Sequence, residues 1–191
     1  SINLIAYTLG KWLKPNDEII ISEMEHHSNI LPWQMLVESH KIKLKFIPVL
    51  NNGTLDIKSF KNLITKKTKL ISIVHISNIL GTINPIDTII NEAKKHNILT
   101  FIDAAQSITH EKIDVKKIGC DFLAFSGHKI MGPTGVGVLY IKKDYLNKLD
   151  PFLRGGHMIK EVNKSQSTWN SPPWKFEAGT ANIAQVIGLA A

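Results

Sequence analysis

A hydroxyl, an imidazole and an amine occur within four residues of this sequence, in Ser126-Gly-His-Lys129. The apolar residues from Phe122 predict a short buried strand before this turn, and a glycine-rich loop and a second apolar run over 136–141 follow it. Lys129 is therefore expected at the mouth of a sheet rather than on an exposed helix face. Such a turn is a weak signal alone, so its meaning depends on the side chains placed beside it.

Three other predicted strands end in an imidazole, an amide or a carboxylate. These side chains are His26, Asn78 and Asp103, and Gln106 follows the last of them closely. Each alone has an ordinary explanation, because a histidine after a strand is usually a surface residue and an aspartate there is often a cap. Ligands bind at the carboxyl ends of the strands in open α/β sheets, so we expect these side chains and Lys129 to surround one ligand.

Together these groups match the needs of pyridoxal phosphate (PLP), which requires a lysine for a Schiff base, an acidic partner for its pyridine nitrogen and a phosphate cradle. Lys129 supplies the amine, and Asp103 would stabilise a pyridinium charge. His26 could stack on the ring. The turn over 126–128 offers hydroxyl, backbone N–H and imidazole donors to a phosphate. Once freed by a substrate amine, Lys129 becomes a general base.

Strands alternate with helices of about ten residues, which predicts an α/β fold with a largely parallel sheet. The predicted strands cover 18–22, 43–49, 69–76, 98–102, 122–125 and 136–141, and the predicted helices cover 2–13, 30–39, 57–64 and 86–96. Asp56 is expected to cap the third helix. Residues 151–175 are rich in Gly, Ser, Asn and Pro, and we predict a long loop that belongs to an interface or an active site.

Composition excludes several classes of function. The chain has 191 residues, 43% of them apolar, and a net charge of +7 from scattered lysines without the basic stripe and aromatics of a nucleic-acid-binding protein. Cys120 is the single cysteine, so no internal disulfide and no cysteine metal site is possible. No apolar stretch approaches the roughly 18 residues that span a membrane, and no signal peptide is visible. A cytoplasmic location is expected.

Five motifs together resemble the cysteine desulfurases of the SufS/CsdA type, which are class V, fold type I PLP enzymes. They are Met24-Glu-His-His-Ser-Asn-Ile-Leu-Pro-Trp-Gln34, Ser77-Asn-Ile-Leu-Gly81, Asp103-Ala-Ala-Gln106, Ser126-Gly-His-Lys-Ile-Met-Gly-Pro-Thr-Gly135 and Phe176-Glu-Ala-Gly-Thr180. The resemblance implies a three-layer α/β/α fold with a mostly parallel mixed sheet, the large PLP-binding domain of the aspartate aminotransferase fold, over 1–191. Both termini fall inside helix-like patterns, so this domain is expected to be incomplete at both ends.

The resemblance also implies roles for individual residues. Lys129 would carry PLP, and His26 would stack on it and take part in proton transfer. Asp103 would pair with the pyridine nitrogen, and Gln106 would bond the ring hydroxyl. Asn78 would lie near the ring and the substrate carboxylate.

Further implied roles concern the phosphate and the assembly. Ser126 and His128 would bind the phosphate, and no metal site is implied. The family forms homodimers with shared sites, so Thr180 is expected to reach the phosphate of the partner subunit. The implied reaction converts L-cysteine to L-alanine and transfers sulfur as a persulfide to an acceptor protein for iron–sulfur cluster assembly. Some members also act on L-selenocysteine.

The match is incomplete in several places. Cys120 lies just before a buried strand and is predicted to be structural. The resemblance implies that the family's sulfur-accepting cysteine and its arginine for the substrate carboxylate lie beyond Ala191. The upstream Thr-Thr phosphate motif would precede Ser1. Arg154 replaces an expected glycine, either as a surface change, which we favour, or as a change in the interface loop. The 191-residue piece itself is expected to be inactive as a desulfurase.

Four other functions compete with this hypothesis. A selenocysteine lyase or a kynureninase-like hydrolase would share the PLP site, but the His26-His27 loop with Pro32-Trp33-Gln34 favours a desulfurase. A non-catalytic relative would be suggested by loss of Lys129 or Asp103, and both are present. A basic binding protein has no supporting motif.

Overall fold

Six strands form one mixed sheet in a computed structural model that describes residues 1–191. They are β1 (Glu18–Ser22), β2 (Lys43–Ile47), β3 (Thr68–Val74), β4 (Leu99–Asp103), β5 (Phe122–Ser126) and β6 (Gly137–Ile141). Their order in the sheet is β2–β1–β3–β4–β5–β6, with β1 to β5 parallel and β6 antiparallel to β5. The predicted largely parallel sheet is therefore confirmed.

Helices connect the parallel strands and flank them. They are α1 (Ile2–Gly10), α2 (Leu31–His40), α3 (Ile57–Leu63), α4 (Ile86–Lys95), α5 (Ser107–His110), α6 (Val115–Ile118), α7 (Lys143–Leu146) and α8 (Ile183–Ala190). Asp56 caps α3 as predicted, because its Oδ1 accepts the backbone N–H of Ser59 at 2.9 Å. Pro32 lies in the first turn of α2, where its missing N–H costs no helical hydrogen bond.

Two apolar cores lie on opposite faces of the sheet. On one face α1 and α2 pack against the strands, with the ring of Phe101 6.2 Å from Trp33 and 6.5 Å from Phe122 between centroids. On the other face α3 and α4 bury Phe60 and Ile89 against the sheet. The sheet therefore lies between two helical layers, as the three-layer α/β/α prediction requires.

The order of the strands determines where a crevice opens at the carboxyl edge of the sheet. The chain passes from β1 to the outer strand β2 and then returns to pair β3 with the other side of β1. Connections leave β1 and β3 on opposite faces of the sheet, so a crevice opens between their carboxyl ends. The loops that follow these two strands carry His26 and Asn78.

The antiparallel pairing of β5 with β6 depends on a glycine. Gly137 pairs with Ser126, and a Cβ atom at Gly137 would lie 2.7 Å from the backbone oxygen of Phe125. Only glycine allows so close an approach, so the strand that ends at the Ser126 turn can be joined at once by its neighbour.

No helix in this structure combines the length and the apolarity needed to cross a membrane.

The long loop predicted over 151–175 is wrong in one respect, because it contains a hairpin. Strands β7 (Ile159–Val162) and β8 (Ser167–Trp169) pair with each other, apart from the main sheet. Asn163 closes their turn by accepting the backbone N–H groups of Ser165 and Gln166. The side chains of both strands are mostly exposed, so the sequence shows no buried alternation to indicate a strand. A smaller difference affects the helix predicted over 2–13, because α1 ends at Gly10.

Candidate active site

A cleft of about 670 Å³ opens at the carboxyl ends of the strands. All the predicted site residues except Thr180 line it, namely His26, Asn78, Asp103, Gln106, Ser126, His128 and Lys129. The first residues of the chain, Ser1 to Asn3, also line the cleft, although no sequence motif singled them out. The structure therefore brings side chains from separate strand ends to one cleft, while their roles stay predictions.

Asp103 is a buried carboxylate without a cationic partner in the chain. It ends β4, is 6% exposed, and accepts the backbone N–H of Ala105 at Oδ1 over 2.9 Å. None of the ion pairs of this chain includes it. Burial raises the pKa of Asp103, and the hydrogen bond from Ala105 and the charges of His26 and Lys129 only partly oppose this rise.

Lys129 lies half-buried in a single 3₁₀ turn, Gly127–Ile130, directly after β5. The turn is held at its first residue, Gly127. The N–H of Gly127 donates to the carbonyl of Val136 at 2.9 Å, and its carbonyl accepts the N–H of Gly132 at 3.0 Å. The amine of Lys129 makes no hydrogen bond or ion pair with the rest of the chain, and it faces the cleft. It is thus a free amine on a fixed backbone.

His26 lies at the start of a 3₁₀ turn, His27–Asn29, and its ring orientation is set by Ser28. The backbone N–H of Ser28 donates to Nδ1 of His26 at 3.2 Å, and the Ser28 hydroxyl lies 3.0 Å from the same nitrogen. Because a backbone N–H can only donate, Nδ1 acts as the acceptor and the neutral ring carries its proton on Nε2. Ser28 also lines the cleft, although no role was predicted for it from the sequence.

A buried polar network, which the sequence did not reveal, lies beneath the His26 loop. Glu25 is 6% exposed and Asn29 is fully buried. Glu25 accepts hydrogen bonds from the Ser22 hydroxyl, the Val74 backbone and the Asn29 amide at 2.6, 2.9 and 2.6 Å. Burial, reinforced by the charge of Asp103, raises the pKa of Glu25 to about 7 despite these three donors.

The remaining predicted residues differ in position. Ser126 and Gln106 are half-buried, whereas Asn78 and His128 are exposed at the rim of the cleft. Thr180 is exposed and does not line this cleft. Its expected contact with a partner subunit stays a prediction.

Two residues singled out by the sequence lie away from the cleft. Cys120 is 1% exposed, and burial raises the pKa of its thiol to about 11. Such a thiol is a poor nucleophile at neutral pH, in agreement with a structural role. Arg154 is exposed, and its guanidinium lies 5.3 Å from the centre of the Trp169 ring on the hairpin. It makes a surface cation–π contact.

The side chains that line the cleft fit PLP. One cavity is lined by Asp103, a buried carboxylate without an ion pair, and by Lys129, a free amine. The pyridine nitrogen of PLP requires such a carboxylate, and its aldehyde requires such an amine. Ser126 and His128 offer donors for a phosphate at the same edge, and His26 borders the cavity on another side.

Comparison with known proteins agrees with this arrangement. The family model for aminotransferase class V matches residues 1–191. A probable cysteine desulfurase of Halalkalibacterium halodurans is 50% identical over 192 residues, which cover 100% of this chain and 47% of that protein. The chain therefore spans about half the length of the curated relatives it matches.

Solved structures extend the comparison. The cysteine desulfurase CsdA of Escherichia coli superposes with a TM-score of 0.96 at 39% identity, over 99% of this chain and 48% of that one. A C-DES variant, with glycine covalently linked to its PLP cofactor, superposes with a TM-score of 0.84 at 28% identity, over 98% of this chain and 51% of that one. On the match of its whole length to the family model, the chain belongs to the aminotransferase class V family.

Proposed function

We propose that this chain forms the PLP-binding part of a cysteine desulfurase, which converts L-cysteine to L-alanine and transfers the sulfur as a persulfide to an acceptor. The observation that carries the proposal is the convergence of Lys129, Asp103 and His26 on one cleft. The relatives named cysteine desulfurase support the substrate class. They also favour this reaction over the selenocysteine lyase and hydrolase alternatives.

PLP, when bound, supplies an electron sink for the charge left at the substrate Cα after loss of a proton. Asp103 would hold the pyridine nitrogen, and its burial without a cation strengthens its attraction for a positive charge. Ser126 and His128 would bind the phosphate, Gln106 the ring hydroxyl, and Asn78 the region of the substrate carboxylate. Lys129 would hold the cofactor and, when displaced by a substrate amine, would accept a proton at Nζ.

His26 would cover the cofactor ring and donate from Nε2. The hydrogen bond from Ser28 to Nδ1 supports this role, because it leaves the proton of the neutral imidazole on Nε2. The ring can therefore present a donor to the cleft without first taking up a second proton. This arrangement suits a group that delivers a proton during the reaction.

The sulfur atom needs a nucleophilic thiolate, and Cys120 does not fit this role. Its raised pKa and its burial both disfavour attack on a substrate sulfur. We therefore propose that another cysteine of the full-length protein accepts the sulfur. The homodimer, with Thr180 reaching the partner subunit's site, the sulfur-acceptor protein, the link to iron–sulfur cluster assembly and the cytoplasmic location stay predictions.

The proposal is tested with the full-length protein, PLP and L-cysteine. We expect a visible absorbance band after PLP is added and L-alanine production from L-cysteine. Lys129→Ala should abolish the band and lower kcat by about 1,000-fold or more, because both the covalent attachment and the proton acceptor are lost.

The matched control is Lys66→Ala, which removes an exposed lysine that precedes the amino end of β3 and does not line the cleft. It should leave both the band and alanine production unchanged. The proposal fails if the wild-type protein gives no band, or if Lys129→Ala retains the band and the activity of the control. A strong preference for L-selenocysteine over L-cysteine would redirect it to the lyase alternative.

A further inference from the structure

Glu25 and Asn29 form a buried hydrogen-bond bridge directly beneath the loop that carries His26. The bridge joins this loop to two strands, because Glu25 contacts Ser22 at the end of β1 and the backbone of Val74 at the end of β3. Asn29 contacts Ser72 inside β3 at 2.6 Å. Every side chain of the bridge is at most 6% exposed. His26 is the residue that follows Glu25, so its backbone is fixed from both strands.

The direction of each hydrogen bond in the bridge is determined by groups that can only donate. The indole N–H of Trp33 donates to Oδ1 of Asn29 at 3.0 Å. The amide of Asn29 must therefore present its NH₂ group to Oε2 of Glu25, which has to accept. The backbone N–H of Val74 likewise requires Oε1 of Glu25 to accept. Both oxygens of Glu25 thus face obligatory donors.

We propose that Glu25 and Asn29 are positioning residues for the reaction, which hold the ring of His26 at its working position over the cofactor. The inference rests on the proposed function, since it assigns the bridge a role in the chemistry of His26. A purely structural bridge would stabilise the fold without affecting the ring. The contacts of Glu25 with Ser22 and Val74, at the two strand ends that flank the crevice, favour positioning.

Glu25→Gln tests the bridge with almost no change in shape. The substituted amide would turn its NH₂ group toward the NH₂ group of Asn29, and Asn29 cannot rotate its own amide without opposing the indole N–H of Trp33. One contact must therefore open, and the loop that carries His26 has to move. A displacement of about 1 Å at a reacting group can lower a rate about 100-fold.

The experiment has two measurements on the full-length protein. In the PLP-loaded enzyme at pH 8, Glu25→Gln should lower kcat for L-cysteine by about 10- to 100-fold with KM changed less than about threefold. In crystal structures of the two apoproteins, the His26 ring of the Glu25→Gln variant should be displaced relative to that of the wild type. The matched control is Glu23→Gln in the same loop. Glu23 is exposed and accepts only the Val49 backbone N–H at 2.9 Å, so both measurements should match the wild type.

An exchange variant separates positioning from a simple loss of charge. In Glu25→Gln with Asn29→Asp, the new carboxylate accepts from Trp33, Ser72 and the new amide, while the amide oxygen accepts from Ser22 and Val74. All donors are matched again, so the ring position and most of the kcat should return. If Glu25→Gln does not fold, Ser22→Ala replaces it. That variant removes one donor and should give a smaller loss of kcat, about threefold, with the ring displaced in the same direction.

The outcomes distinguish the two proposals. A wild-type protein that binds no PLP and yields no L-alanine contradicts the proposed function, whatever the variants do. A wild-type protein that is active, with a Glu25→Gln variant that keeps either its His26 ring position or its kcat, overturns the positioning role. Failure of the exchange variant to recover the ring position also overturns it, because the role depends on donors and acceptors being matched.

Discussion

Glu18 and Glu25 lie at opposite ends of β1, and only Glu18 is in contact with a lysine. Both are buried, at 7% and 6% exposure. Glu18, at the amino end, accepts from the Lys45 amine at 2.8 Å and from the hydroxyls of Thr65 and Thr68. Burial opposes its ionisation, but the hydrogen bonds of Lys45 and Thr65 and the charge of Lys45 lower the pKa of Glu18 overall. Glu25 has only neutral donors, and its pKa is raised to about 7.

The same difference in ion pairing distinguishes the amino ends of the strands from their carboxyl ends. At the amino ends of the strands carboxylates meet lysines, as in the pairs Glu18–Lys45 and Asp17–Lys69. At the carboxyl ends Asp103 and Glu25 are buried without an ion pair. The amino edge therefore pairs its carboxylates with lysines of the chain, while at the carboxyl edge Asp103 lines the cleft without an ion pair and is left for a cationic ligand. Substitutions at the two edges test this difference.

The largest expected effect is a loss of activity without a loss of stability at Asp103. Asp103→Asn keeps the bond from Ala105 but removes the negative charge that would hold a pyridinium, so kcat in the full-length enzyme should fall about 100- to 1,000-fold. The apoprotein should be as stable as the wild type or more so, because an unpaired buried charge is removed. Steady-state kinetics and urea unfolding measure the two effects.

Asp121→Asn is the paired substitution at the amino edge. Asp121 accepts from the backbone and the hydroxyl of Thr100 at 2.9 and 3.1 Å. Its substitution should lower the free energy of unfolding by about 1 kcal/mol and leave kcat within about twofold of the wild type. The contrast between the two edges is wrong if Asp121→Asn impairs catalysis as strongly as Asp103→Asn.

The pH dependence of stability should have opposite signs at the two ends of β1. Because the pKa of Glu25 rises from 4.5 to about 7 on folding, the folded protein binds more protons across that window, and the free energy of unfolding falls as pH rises. The full change is about 3 kcal/mol. Glu18 has a lowered pKa, so its contribution is present above pH 4.5 and is lost as pH falls through the folded-state pKa.

Urea unfolding of the full-length apoprotein from pH 4 to 8 measures this dependence. Glu25→Gln should flatten the decline between pH 4.5 and 7, while Asp103, whose pKa is also raised, still contributes a decline of the same sign. A Glu25→Gln variant with the same slope as the wild type would show that Glu25 keeps an ordinary pKa in the folded protein.

Glu18→Gln should have a smaller effect, confined to stability. The charge that pairs with Lys45 is lost while an oxygen still accepts from Thr65, so we expect a loss of about 2 kcal/mol at pH 7. The kcat for L-cysteine should stay within about twofold of the wild type because β1 still ends at the same position. Unfolding in urea and steady-state kinetics on the same preparation check both statements.

The sequence was most informative where a single element determines the outcome. The run from Glu18 to Ser22 has three isoleucines at its centre and follows a Pro-Asn-Asp turn, and β1 has the predicted bounds. Asp56 caps α3 through a local contact that the spacing indicates. Position at a strand end was enough to bring His26, Asp103 and Lys129 to one cleft, because parallel strands share their carboxyl edge.

Features that depend on distant contacts could not be predicted in this way. The i, i+4 spacing of Glu25, Asn29 and Trp33 was available, but their buried bridge also needs Ser72 and Val74, which belong to another strand. The β7–β8 hairpin is solvent-exposed, so no apolar pattern marks it. The predicted role of Thr180 requires a second subunit, which the sequence of one chain does not place.

Cys120 gives the smallest expected effect and tests whether the amino edge is only structural. It lies just before β5, and a thiol with a pKa of about 11 is ionised in about one molecule in a thousand at pH 8. Cys120→Ala should keep kcat for L-cysteine within about twofold and cost about 1 kcal/mol of stability from lost packing. In the native wild type, peptide mapping after iodoacetamide should find Cys120 unmodified until the protein is unfolded. Rapid native labelling together with loss of alanine production in a folded Cys120→Ala variant would instead assign this thiol to the sulfur transfer.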